Sequence, residues 1–93
     1  MASTVNLIWQ GPRPLPAGYA DIISNWHTQN PDPPIVIWMD ADNPDYNACK
    51  QSFQRQPRIK VDTAIAMALS MTSQPGSLNL TTLTGLGFDV RVH

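Results

Sequence analysis

The sequence is poor in cysteine, in charge and in long apolar runs. Cys49 is the sole cysteine among 93 residues, which excludes an internal disulfide and a metal site built from several thiolates. No stretch approaches the ~18–20 apolar residues that span a bilayer, so no membrane span is expected. Met1 to Gln10 lacks the basic n-region and apolar core of a cleaved signal peptide. The expected location is cytoplasmic, or secreted without a cleaved signal peptide. Six Lys and Arg face seven acids, for a net charge of −1. A nucleic-acid-binding surface would show a basic excess, so no nucleic-acid partner is expected. Glutamate is absent and every acid is Asp, unlike the Glu- and Lys-rich composition of disordered chains. A chain of this length forms one domain, residues 1–93.

What is present is a succession of short elements broken by nine prolines. Thr4 to Trp9 is β-prone and mostly apolar, which predicts a buried strand. Gln10-Gly11-Pro12-Arg13-Pro14-Leu15-Pro16 continues neither strand nor helix. From Ala17 the period changes: Tyr19, Ile22, Ile23 and Trp26 fall on one helical face, with Trp26 in the core. Ile35 to Met39 is apolar without alternation, the pattern of a strand buried on both faces of a parallel sheet. Asn43 is placed to cap a helix beginning at Pro44, with Tyr46, Cys49 and Phe53 on its inner face. Arg58 to Val61 reads as an edge strand. Asp62 caps a helix over Thr63 to Met71, and Thr72 to Ser77, with Pro75-Gly76, is a breaker. Leu78 to Leu86 is a short helix stopped by Gly87, and Phe88 to Val92 is a last, alternating strand. This order predicts an α/β fold, a mostly parallel sheet with flanking helices.

In such sheets ligands bind beyond the C-terminal ends of the strands. Two ends are chemically loaded, Trp9-Gln10-Gly11 and Asp40-Ala41-Asp42-Asn43. No phosphate-binding G-x-x-x-x-G-K-[ST] is present, and Gly85-Leu86-Gly87 precedes a strand instead of following one. His27 and His93 have no metal-ligand spacing. Lys50, Arg55, Arg58 and Lys60 form a small basic cluster, either a solvated face or a phosphate contact.

The stretch Asn6 to Asn43 carries a resemblance. Asn6-Leu7-Ile8-Trp9-Gln10-Gly11, Pro14-Leu15-Pro16, Tyr19, Ile23, Trp26, Asn30-Pro31-Asp32 and Ile37-Trp38-Met39-Asp40 occur in order. They resemble the opening of the glycosyltransferase family whose sugar-binding region carries a DXD motif. That family includes yeast-type initiating mannosyltransferases and the glucosylating clostridial toxins. Its opening runs roughly I-H-x-x-W-x-G, P-L-P, Y, I-x-S-W, N-P-D-Y, x-L-W-x-D, and the match covers about 38 of the 93 residues. Asn6 stands where the family usually has His, and Pro33-Pro34 where it usually has an aromatic residue.

The resemblance implies the N-terminal nucleotide-binding half of a GT-A fold and a sugar nucleotide of the UDP- or GDP-hexose type. It also implies hexose transfer with a divalent cation, often manganese. In the toxin branch the Trp of the first strand stacks on uracil, which maps onto Trp9; core packing is the alternative for that side chain. Gln10 and Gly11 follow it, Asp40 is placed to accept hydrogen bonds from ribose or base, and Asn47 matches a position near the nucleotide. Asp40-Ala41-Asp42 is literally D-x-D, but the family's metal-binding D-x-D comes later, after a segment like G-G-x-Y-x-D that nothing from Asn43 to His93 matches. No cofactor is therefore expected in this chain, no catalytic residue is assigned, and a fragment or truncated relative is the leading expectation. The alternative is a non-catalytic protein-interaction module or effector fragment reusing the fold. Further expected partners are a protein acceptor, a missing C-terminal half, or a second copy pairing along the open strand edge.

Overall fold

The computed structural model describes residues 3–71 and 77–93. The elements run β1 Val5–Trp9, α1 Tyr19–Gln29, β2 Ile35–Met39, α2 Tyr46–Phe53, β3 Ile59–Asp62, α3 Ile65–Leu69, α4 Thr81–Gly85 and β4 Asp89–Val92. The order of strands and helices is the expected one. The breaker at Pro75-Gly76 lies outside the described residues.

The four strands form one mixed sheet in the order β3-β2-β1-β4. β1 pairs parallel with β2, and β2 parallel with β3. The sheet expected to be mostly parallel is mixed: β4 returns antiparallel along β1, with Val5 opposite Val92 and Ile8 opposite Asp89. Its sequence suits an edge position. Asp89 and Arg91 alternate with Val90 and Val92, and such alternation belongs to a strand with one open face, common where an antiparallel strand edges a parallel sheet.

The two central strands lack alternation because both of their faces are covered. Val5, Leu7 and Trp9, with Ile35, Ile37 and Met39, meet Ile23 and Trp26 of α1, Cys49 and Phe53 of α2, and Leu83 of α4. On the opposite face Ile8 and Trp38 pack against Ile65 and Ala68 of α3. Trp26 is buried as expected, and its Nε1 donates to the Asn79 carbonyl at 2.8 Å. Arg91 reaches from β4 to the carbonyls of Leu69 and Met71 at the end of α3 while pairing with Asp89 at 3.2 Å. That arrangement answers the unpaired carbonyls every helix end leaves and ties α3 to its face of the sheet.

Helix boundaries move inward from those expected. α2 begins at Tyr46 after Asp45, because Asn43 holds a turn ahead of the helix instead of capping it. Asp62 ends β3, and its Oδ1 accepts from the Thr63 amide at 2.7 Å, so α3 starts only at Ile65.

The Cys49 thiol sits wholly inside the larger core. Burial pushes it from its ordinary 9.0 up to about 12; the nearby Asp45 charge adds to the rise and a hydrogen bond with Tyr19 opposes it. The Tyr19 hydroxyl is also raised, chiefly by burial. Stability is accordingly expected to hold below pH 9. It falls as pH climbs from about 9 toward 12, where the unfolded thiol ionises and the folded one stays protonated. Denaturant midpoints measured across that window check this. A thiol reagent at pH 8 should modify Cys49 only as fast as the chain opens; rapid labelling of the folded protein would contradict the burial.

Candidate functional site

The site is built where β1 and β2 end side by side. Trp9 lies opposite Met39 in the parallel register, so Asp40 emerges directly beside the Trp9-Gln10 step. The chain then has to turn twice in close quarters. Gly11 makes the first turn with φ +83°, in the left-handed region open to glycine. Pro12, Pro14 and Pro16 follow, and a proline-rich loop supplies few amides of its own to close hydrogen bonds.

Those bonds come instead from the loop after β2. The Asp40 carboxylate accepts from the Gly11 amide through Oδ2. Asn43, only 4% exposed, donates through Nδ2 to the carbonyls of Gly11 at 2.9 Å and Arg13 at 2.8 Å. Its Oδ1 accepts from the Asp45 amide at 2.8 Å. Asp45 in turn accepts from the Leu15 amide at 2.7 Å. Trp9 contributes the last link, donating from Nε1 to the Arg13 carbonyl at 2.9 Å. Three side chains of the Asp40–Asp45 segment thus hold the backbone of the Gly11–Leu15 loop.

Trp9 is 4% exposed. On one side Phe88 packs at 5.1 Å between ring centroids with a tilt of 59°. Gly87 crosses so close that a Cβ there would stand 3.2 Å from the indole. Over the ring lies the Arg13 guanidinium, with Cζ 4.1 Å from the centroid. The indole is therefore a core side chain, the packing alternative, with a cation over one face.

Of the residues expected at the site, Trp9, Gln10, Gly11 and Asp40 come together. Gln10 is exposed and Gly11 half-buried. Asp40 is half-buried, and its Oδ1 makes no hydrogen bond to the described residues. Asn47 stands apart, exposed on α2, where it lines an open groove of about 370 Å³ with Lys50, Gln51 and Gln54. Sequence reasoning placed Asn43 at the loaded end of the second strand and as a helix cap, but gave Asn43, Asp45 and Arg13 no part in joining the two loops. The signal for Asn43 was present: Asp-Asn-Pro-Asp favours a turn in which the Asn side chain bonds the backbone two residues on. The basic cluster does not converge here. Lys50 lies 5.3 Å from the Tyr46 ring, and Arg58 donates to the Asp32 carbonyl. Among the described residues, no three His, Cys or Asp side chains stand close enough to hold a metal ion. No described helix is long and apolar enough to cross a membrane.

Comparison with known proteins returns nothing: no family model, no curated protein and no solved structure matches the chain.

Proposed function

We propose that the ends of β1 and β2 bind a sugar nucleotide of the UDP- or GDP-hexose type, and that the chain is a glycosyltransferase-like nucleotide-binding unit. The observation that carries this reading is the juxtaposition of Trp9 and Asp40 at adjacent parallel strand ends. The indole carries the Arg13 guanidinium over one face, and Asp40 Oδ1 makes no hydrogen bond to the described residues. Ligands of open α/β sheets bind at this edge. The resemblance, drawn over Asn6 to Asn43, takes in β1, α1 and β2, and it reads the chain as the N-terminal half of a GT-A fold.

The divalent cation of that family does not fit the residues present. Asp40 and Asp45 each hold a backbone amide of the facing loop, and the described residues offer no three-ligand cluster. Magnesium or manganese wants several oxygen ligands at once. No transfer step is derived for this chain.

Uridine diphosphate is expected to quench tryptophan fluorescence more than adenosine diphosphate does, with a dissociation constant of roughly 1 mM, the range of a few weak contacts. Trp9→Phe should remove the quench and Trp26→Phe should leave it. An equal response to both nucleotides, or a quench that survives Trp9→Phe, would count against the proposal.

A second reading, a non-catalytic protein-interaction module, is favoured by the burial of Trp9 and by the Asp40–Gly11 bond. Among the described residues the outer strands β3 and β4 each pair on one side only, which leaves edges for a partner or a second copy. A folded chain that ignores every nucleotide would support it.

A further inference from the structure

We infer that Arg13 is a displaceable cover of the Trp9 ring and the phosphate ligand of the same site. This rests on the sugar-nucleotide reading above. In the free chain the guanidinium lies over the indole with Cζ 4.1 Å from its centroid. A planar guanidinium stacks on an aromatic face much as a base does, so the two compete for one surface.

The loop is constructed so that the side chain alone moves. The Arg13 carbonyl is fixed by Trp9 Nε1 and Asn43 Nδ2, and prolines stand on either side of the residue. The side chain itself is exposed, and the salt bridge present among the described residues joins Arg91 to Asp89, not Arg13 to a carboxylate. A stacked cation without a carboxylate partner is held weakly. The facing loop carries Asp40, Asp42 and Asp45, all of which repel a diphosphate. Arg13 is the cation on the Gly11–Leu15 loop, and its planar fork of donors matches phosphate oxygens. When a base takes the indole face, the released guanidinium turns to the diphosphate attached to that base. One side chain thereby links recognition of the base to recognition of the phosphates.

The test compares uridine with uridine diphosphate on the full chain, by ligand-observed NMR and calorimetry, in wild type, Arg13→Ala and Arg13→Lys. Wild type should bind the diphosphate more tightly than the nucleoside, with an affinity that falls as salt rises. Arg13→Ala should bind uridine as well as wild type or better, because the ring is uncovered, and lose roughly tenfold for the diphosphate. Arg13→Lys should keep most of the diphosphate affinity. Equal losses for both ligands in Arg13→Ala would overturn the inference, making Arg13 a support for Trp9. Unchanged diphosphate binding would overturn it as well, while leaving the sugar-nucleotide reading intact. A wild-type chain that binds neither ligand sinks both.

Discussion

Replacing Asn43 by Ala is expected to lower the unfolding free energy by about 2–4 kcal/mol, a large part of the stability of so small a domain. The side chain is 4% exposed and makes three hydrogen bonds, to the carbonyls of Gly11 and Arg13 and from the amide of Asp45. Each such bond contributes only ~1 kcal/mol net, but a buried group left without its partner costs ~1–3 kcal/mol. The loop it holds is rich in proline and cannot re-form the bonds within itself. Asn43→Asp separates the contributions: it keeps an oxygen for the Asp45 amide and loses the donor to both carbonyls, so it should fall between wild type and Ala only if the turn matters by itself. Urea denaturation gives the free energies. Hydrogen exchange at the Leu15 amide, which donates to Asp45, should accelerate in Asn43→Ala before global unfolding. A loss below ~0.5 kcal/mol, the scale of an ordinary surface substitution, would show that Asn43 is not what joins the two loops.

That residue also marks the boundary of what the sequence discloses. Strand and helix order followed from local pattern. Ile35 to Met39 needed no partner to be read as a strand buried on both faces, since five apolar residues between Pro and Asp suit little else. Trp26 was legible as core because the helical period placed it with Ile22 and Ile23. Strand direction was not legible in the same way. Whether Phe88–Val92 runs with or against β1 depends on how the chain returns across the sheet after α3, and its alternation signals an open face more than a direction. At the strand ends the limit is different. Residue type marked Trp9 and Asp40 as chemically capable, but the same chemistry serves the fold: Trp9 Nε1 and the Asp40 carboxylate both hold the Gly11–Arg13 backbone. Only the three-dimensional register reveals that the two loops bond each other, and that Arg13 lies over the ring while Asn47 stands away on α2.

The second large effect is expected at Asn6. Asn6 is 1% exposed on the α3 side of the sheet, where it sits among apolar neighbours. Its Oδ1 accepts from Trp38 Nε1 at 2.9 Å, and its Nδ2 donates to the Arg91 carbonyl of β4 at 3.2 Å. One amide thus joins β1 to a side chain of β2 and to the backbone of β4, since β1 lies between them. Asn6→Leu keeps the volume and removes these bonds, with the longer one from Nδ2 to the Thr4 carbonyl at 3.4 Å, leaving a buried indole N–H without an acceptor. A loss of about 2–4 kcal/mol is expected. Trp38→Phe removes the donor and leaves the amide oxygen unpaired, at a cost of ~1–3 kcal/mol including the smaller ring. The double variant is the informative one. With both polar partners gone, nothing buried is left unsatisfied between β1 and β2, so its loss should be smaller than the sum of the two single losses by ~1 kcal/mol or more. Denaturant unfolding of the four proteins closes the cycle. Additive losses would mean that Asn6 and Trp38 stabilise the sheet independently. The 2.9 Å contact between them would then be a consequence of packing instead of a determinant of it.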